Sequence, residues 1–167
     1  MSSTEPHQAF IRPMVADDRP AIAQIVTGVG NFNDAEIECA LELVDIYLQD
    51  RRQRDYQVII AETEPRVVCG YACWGPTPLT RGTYDLYWIA TSPAEQGKGV
   101  GRTLMSYIEG KIREMQGRLL VVETSSKDSY RATVGFYRRL GYDEAVYIRD
   151  FYDRGDDKLI FIKRFQQ

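Results

Sequence analysis

Gln96-Gly97-Lys98-Gly99-Val100-Gly101 constrains this chain more than any other stretch, because of what stands on either side of it. A strand-like run from Tyr84 to Thr91 precedes it, with Ser92-Pro93 marking the turn. Beyond it Leu104, Met105, Ile108, Ile112 and Met115 recur at helical spacing, so the glycines open a helix. The first turn of a helix carries N–H groups with no carbonyl behind them to bond. Those donors and the positive end of the helix dipole make a site for a phosphate or pyrophosphate. Glycine lets such a ligand reach the backbone, which a side chain would hold away.

Bulk properties narrow the setting. A chain of 167 residues suits one domain with one sizeable core. A hydrophobic share of 44% and a charged share of 27% place it among soluble globular proteins. The net charge of −3 argues against a nucleic-acid partner. No apolar run approaches the roughly 20 residues needed to span a bilayer, so no membrane partner is expected. Met1 to His7 is polar and lacks the apolar stretch of a secretory signal. Residues 1–8 are therefore expected to be a flexible tail, residues 9–167 the domain, and the protein cytoplasmic.

Cys39, Cys69 and Cys73 are odd in number and lack metal-ligand spacing. They are expected to be reduced and mostly buried, and no metal is expected. The single histidine, His7, lies in the tail. A Ser-His-Asp or Cys-His enzyme is therefore not expected, and the commonest zinc ligand is missing. Acid–base work near neutral pH falls to carboxylates, tyrosines, lysines, cysteines or relayed water.

Along the chain, residues 9–13 read as a first strand. Asp17 is placed to cap a helix with Pro20 in its first turn. A second helix runs over 34–52, with Ile37, Ala40, Leu41, Val44, Tyr47 and Leu48 on one face. Residues 56–62 and 67–74 read as a hairpin of strands turning at Glu64-Pro65. After the glycine-rich helix come a strand at 118–124, a loop at 125–129 and a helix at 130–140 ended by Gly141. Strands at 145–149 and 158–165 follow, joined by a polar loop at 153–157. This order predicts one α/β domain with a mixed sheet.

Two nucleotide-binding readings fail on context. A dinucleotide fingerprint follows the first strand of a βαβ unit, whereas three or four strands precede this loop. A Walker A loop needs Gly-Lys-Ser or Gly-Lys-Thr, and Gly97-Lys98-Gly99 is neither. Gln-x-x-Gly-x-Gly after a strand ending Ala90-Thr91-Ser92-Pro93 resembles the acetyl-CoA motif of the GNAT (Gcn5-related N-acetyltransferase) superfamily. Phe136-Tyr137-Arg138-Arg139-Leu140-Gly141-Tyr142 is similar to that superfamily's Phe-Tyr-x-x-x-Gly-Phe/Tyr signature. One helix and one strand separate the two segments, as in the family, and the element order matches over almost the whole chain.

The resemblance implies a GNAT-like mixed, mostly antiparallel central sheet flanked by helices. It implies acetyl-CoA as co-substrate, with the main chain of Ile89 and Thr91 pairing with the pantetheine arm. Main-chain amides from Gly97, Lys98, Gly99, Val100, Gly101 and Arg102 would hold the pyrophosphate. The Gln96 side chain would fix the loop, and the Lys98 and Arg102 charges would assist the phosphates. Tyr137 matches the family tyrosine that protonates or hydrogen-bonds the departing thiolate, a charge that needs a donor in a dry cleft. Asp85 stands where the histone-acetyltransferase branch carries its general-base glutamate. Its aromatic neighbours favour a raised pKa, and Glu123 is the rival carboxylate. Plainer readings exist: a core tyrosine for Tyr137, a strand-end carboxylate for Asp85 and an exposed charge for Lys98. Tyr130 and Thr133 stand where the family commonly carries Asn and Ala, so Ser126 and Ser129 become candidates for the Asn contact.

The acceptor is less legible. Tyr71, Trp74, Tyr84, Tyr87 and Trp88 line either a cleft or the core. Asp156-Asp157 in the last loop would suit a cationic amine, although Asp and Gly favour turns anyway, and Asn31-Phe32-Asn33 forms another candidate rim. The leading expectation is an acyl-CoA-dependent N-acetyltransferase acting by direct transfer on a small-molecule or peptide amine, with a homodimer as a further family expectation. The alternative is a non-catalytic acyl-CoA-binding sensor or interaction module on the same fold.

Overall fold

The computed structural model describes residues 9–166. Residues 1–8, where the flexible tail and His7 were placed by sequence, lie outside the described residues.

The strands are β1 (Phe10–Pro13), β2 (Gln57–Glu64), β3 (Val67–Pro76), β4 (Thr83–Thr91), β5 (Leu119–Ser125), β6 (Asp143–Asp153) and β7 (Asp156–Arg164). The helices are α1 (Arg19–Gly28), α2 (Asp34–Gln49), α3 (Val100–Glu114) and α4 (Arg131–Arg139). The seven strands form one sheet in the order β1-β2-β3-β4-β5-β7-β6. The β4–β5 pair is parallel, while β1–β2, β2–β3, β5–β7 and β6–β7 are antiparallel. This is the mixed, mostly antiparallel α/β fold expected. The chain clusters into two compact units: one takes residues up to Trp74 with Trp88–Ile108, the other Gly75–Tyr87 with Glu109 onward.

In the first unit Ile22, Val26, Val44, Ile60, Leu104 and Met105 are wholly buried. Each such side chain contributes about 1.5–3 kcal/mol by leaving water. Asp18, rather than the expected Asp17, precedes α1. Its carboxylate accepts the Val15 N–H at 2.8 Å and two N–H groups of Arg12, which holds its pKa low despite burial. α2 opens with a reciprocal cap, Glu36 N–H to the Asn33 side chain at 2.9 Å and Asn33 N–H to Glu36 at 2.8 Å. It stops at Gln49 rather than at residue 52. The start of α3 presses on β3 at Gly70, where a Cβ would stand 2.9 Å from Val100 and 3.1 Å from the Ala90 carbonyl oxygen.

In the second unit the parallel ladder runs from Thr83↔Leu119 to Leu86↔Val122. Through β5 and β7, Leu86, Val122 and Phe161 share one face, and Asp85, Val121 and Ile162 the other. The Leu86 face is buried and the Asp85 face half-buried. β6 extends well beyond the predicted 145–149. Its side chains are exposed along the whole strand, so no buried alternation marks its limits in sequence. Arg154-Gly155, with Gly155 at φ 76°, turns directly into β7 and replaces the expected longer loop. Met115 falls outside α3 and is exposed rather than part of its buried stripe. All three cysteines are free; Cys69 and Cys73 are buried and Cys39 is exposed.

Candidate active site

The glycine-rich loop belongs to the first unit. Gly97 and Gly99 have φ of 77° and 91°, a region L side chains rarely adopt, and a Cβ at either would meet nothing within 4 Å. Glycine is therefore needed for backbone conformation, and the space beside it is open. The loop is fixed by a chain of main-chain bonds: Ser92 N–H to Cys69 O at 2.8 Å, Glu95 N–H to Ser92 O at 2.9 Å, and Lys98 N–H to Glu95 O at 3.3 Å. Gln96 is exposed and its side chain takes no part in these bonds. Val100, Gly101 and Arg102 fill the first turn of α3, and Thr103 N–H is the first to find a carbonyl, that of Gly99 at 3.0 Å. The donors that an anion needs are thus left pointing out of the helix end.

The two loop cations differ. Both are exposed, but Lys98 Nζ lies 3.2 Å from Glu95 Oε1, whereas Arg102 forms no ion pair among the described residues. Ile89 and Thr91 lie half-buried in the second half of β4. Beside them Phe32 packs edge-on against Trp88, with ring centroids 5.3 Å apart. Asn33, predicted as part of a rim, is committed to the α2 cap.

Tyr137 belongs to the second unit, and its position follows from how α4 ends. Gly141, at φ 80°, donates to Arg138 O at 3.1 Å, and Tyr142 N–H reaches back to Tyr137 O at 3.1 Å. These two bonds are a Schellman cap, in which the third residue from the helix end contacts the second residue beyond it. Here that contact is Tyr137 against Tyr142, ring centroids 5.8 Å apart. Tyr142 OH donates to the buried Glu109 at 2.9 Å, and Lys163 Nζ bonds both Glu109 oxygens and, at 2.9 Å, the Leu140 carbonyl. An ammonium at a helix C-terminus also complements its dipole. Tyr137 packs on Phe161 as well, and is itself buried. No hydrogen bond reaches its hydroxyl among the described residues. Burial alone pushes its pKa up, so the phenol keeps its proton.

Asp85 opens on the other face of the same ladder. Burial raises its pKa, the Thr77 hydroxyl bond at 2.7 Å lowers it, and the charge of Glu123 raises it. Glu123 is exposed and paired with Lys158 at 2.6 Å, and the Lys158 ammonium lies 4.3 Å above the Phe151 ring. The ladder therefore separates the two proton-handling candidates, Asp85 to one face and Tyr137 to the other.

Several expectations are corrected. Asp156 is buried and bonded to Ser125 Oγ and, at 2.9 Å, to Lys127. Asp157 accepts from Tyr147 OH and from Asp150 N–H, and its own N–H donates to Ser126 Oγ at 2.9 Å. This pair fastens the hairpin to the end of β5, and Ser126 is engaged with it. Tyr71 and Trp74 are core, while Tyr84, Tyr87 and Trp88 are half-buried. Thr77 and the Glu109–Lys163 pair went unpredicted, since no local motif marks them. Among the described residues no cluster of His, Cys, Asp or Glu could hold a metal ion, and no helix is long and apolar enough to cross a membrane.

The sequence matches the acetyltransferase (GNAT) domain family over residues 54–144. A structure from Desulfovibrio desulfuricans assigned to the GNAT acetyltransferases superposes with a TM-score of 0.89 at 38% identity, covering 94% of this chain and 99% of that one. The S-(2-succino)cysteine N-acetyltransferase of Bacillus subtilis is 24% identical over 64% of this chain and 66% of its own length. YncA from Salmonella typhimurium, solved with its cofactor acetyl-CoA, shares the fold with a TM-score of 0.73 at 24% identity, over 96% of this chain and 95% of its own. The chain belongs to the GNAT acetyltransferase family and is, by class, an acyl-CoA-dependent N-acetyltransferase. The family acts on amines of small molecules or proteins, and the non-catalytic alternative is not favoured.

Proposed function

We propose that this protein transfers the acetyl group of acetyl-CoA directly to a primary amine, with Asp85 as base and Tyr137 as proton donor. The observation that carries this reading is the state of the two groups: among the described residues Asp85 is a half-buried carboxylate with no cation partner, and Tyr137 is a buried, protonated phenol with no hydrogen-bond partner. Acetyl-CoA supplies an activated thioester. The amides of Gly97 and of Gly99 to Arg102 suit its pyrophosphate, and the main chain of Ile89 and Thr91 its pantetheine arm. Asp85 takes a proton from the acceptor ammonium and frees the lone pair that attacks. Tyr137 gives its proton to the sulfur as the C–S bond breaks, and the second proton that the nitrogen sheds as the amide forms returns through water to the phenolate.

Asp85 is preferred over Glu123 because Glu123 is exposed and already paired with Lys158. Of the buried thiols, burial pushes Cys73 up to about 12 and raises Cys69 as well, so neither is a ready nucleophile. A cytoplasmic location and a homodimer belong to the same reading. The exposed Val146, Tyr147, Ile148, Phe151 and Tyr152 on β6 support the dimer.

The test is thiol release from acetyl-CoA with spermidine, L-lysine, S-(2-succino)cysteine and an alanine-initiated peptide. At least one should release CoA at a rate that Asp85→Asn lowers about a hundredfold. Full turnover in Asp85→Asn would remove the base assignment.

A further inference from the structure

The two oxygens of the Asp85 carboxylate are not equivalent. Oδ2 accepts the Thr77 hydroxyl at 2.7 Å, and this is the one hydrogen bond to the side chain among the described residues. Thr77 itself is firmly held. Its N–H donates to Thr83 O at 2.9 Å, and its carbonyl accepts the Thr80 N–H at 3.3 Å and the Thr80 hydroxyl at 2.7 Å. The far side of the same loop is tied down by Arg118, whose guanidinium grips Arg81 O at 2.6 and 2.9 Å. The Arg118 and Leu119 N–H groups both reach Gly82 O. A loop of six residues, 77–82, is thereby fastened to β4 and to the start of β5. Its first residue presents one hydroxyl to one carboxylate oxygen.

Resting on the reading of Asp85 as the base, we propose that Thr77 is its positioning residue. Its hydroxyl holds Oδ2, so that Oδ1 is the oxygen that meets the acceptor ammonium. In that step one N–H bond of the ammonium breaks and one O–H bond forms at Oδ1. The nitrogen keeps its electron pair for attack, and Asp85 then passes the proton to water. The Thr77 bond does two things at once: it fixes the carboxylate's orientation, and it favours the ionised form that a base requires. The charged neighbour facing Asp85 is Glu123 from β5, with Lys158 of β7 bonded to it. Thr77 contributes the neutral donor from the β3–β4 loop. Without it, burial and Glu123 both act to keep Asp85 protonated.

The experiment uses the full chain. The side-chain carboxyl carbon of Asp85 is followed by 13C NMR against pH, assigned with Asp85→Asn, in the wild type and in Thr77→Val, Thr77→Ala and Thr77→Ser. Backbone amide spectra confirm the fold of each variant. Both donorless variants should titrate Asp85 at higher pH than wild type, and Thr77→Ser should restore the wild-type midpoint. With the best acceptor of the amine panel, the acid limb of kcat/KM should move the same way. At a pH on that limb the loss should be roughly tenfold, as expected for one hydrogen bond to a charged group. A wild-type midpoint in a folded donorless variant overturns the proposal. If Asp85→Asn has lost turnover in that case, the base assignment survives and only Thr77 falls. If Asp85→Asn keeps turnover, the base reading fails, and Thr77 is only a fastening of its loop.

Discussion

The start of α3 and the end of α4 solve opposite problems with the same residue. At the start of α3, Gly97 and Gly99 take left-handed backbone angles that turn the chain into the helix and leave its first amides open. At the end of α4, Gly141 takes the same kind of angle and closes the helix, returning N–H groups to the last carbonyls. One end is exposed and offers backbone donors. The other buries a side chain, Tyr137, and offers a single hydroxyl. A positive-φ glycine alone therefore does not signal a ligand site; which helix end it occupies decides between an anion cradle and a cap.

The largest effect should come from Tyr137→Phe. The hydroxyl has no hydrogen-bond partner among the described residues, so its loss should leave the melting temperature nearly unchanged while kcat falls about a hundredfold. Acetyl-CoA affinity, measured by calorimetry, should hold. A large drop in stability with normal turnover would make Tyr137 a core residue and nothing more.

The two glycines separate the comparison further. Alanine in a left-handed conformation costs roughly 1–2 kcal/mol at either end. Gly99→Ala should spend that cost on the cradle and weaken acetyl-CoA binding about tenfold, with modest change in kcat. Gly141→Ala should spend it on the cap, lowering the melting temperature and kcat while acetyl-CoA affinity holds. Should the two variants show the same profile, the division between cradle and cap is lost.

The same contrast explains what could be read from the chain. Gln96 to Gly101 and Phe136 to Tyr142 were legible because their geometry is local: glycine angles, caps and first-turn amides are written in consecutive residues. Asp85 was legible as a position along a strand, but its partner was not. Thr77 reaches it across a hairpin, eight residues away in sequence. Lys163 reaches Glu109 across 54 residues, and nothing in either segment marks the pairing. Asp156 misled for the same reason. Asp and Gly read as a solvated turn, yet Ser125, 31 residues upstream, and Lys127 receive Asp156 in a buried site. Gly117 carried no signal either, although a Cβ there would collide with Ile112 and stand 2.7 Å from Tyr84.

The smallest effect tests how open the α3 end is. Lys98 and Arg102 both border the cradle and are exposed, but Lys98 is shared with Glu95 while Arg102 has no ion pair among the described residues. Arg102→Ala should therefore weaken acetyl-CoA binding about tenfold, as a charge-assisted bond to phosphate would. Lys98→Ala should cost only about twofold, because an exposed ion pair already occupies the ammonium. Glu95→Gln supplies the decisive control. It releases Lys98, so the Lys98→Ala effect should grow in that background, a coupling that a double-mutant cycle reads directly. Raising the salt should shrink all of these differences, since the charges are exposed and screened. Equal losses for Lys98→Ala and Arg102→Ala, unaltered by Glu95→Gln, would mean that the pair with Glu95 does not hold Lys98 back from the phosphates.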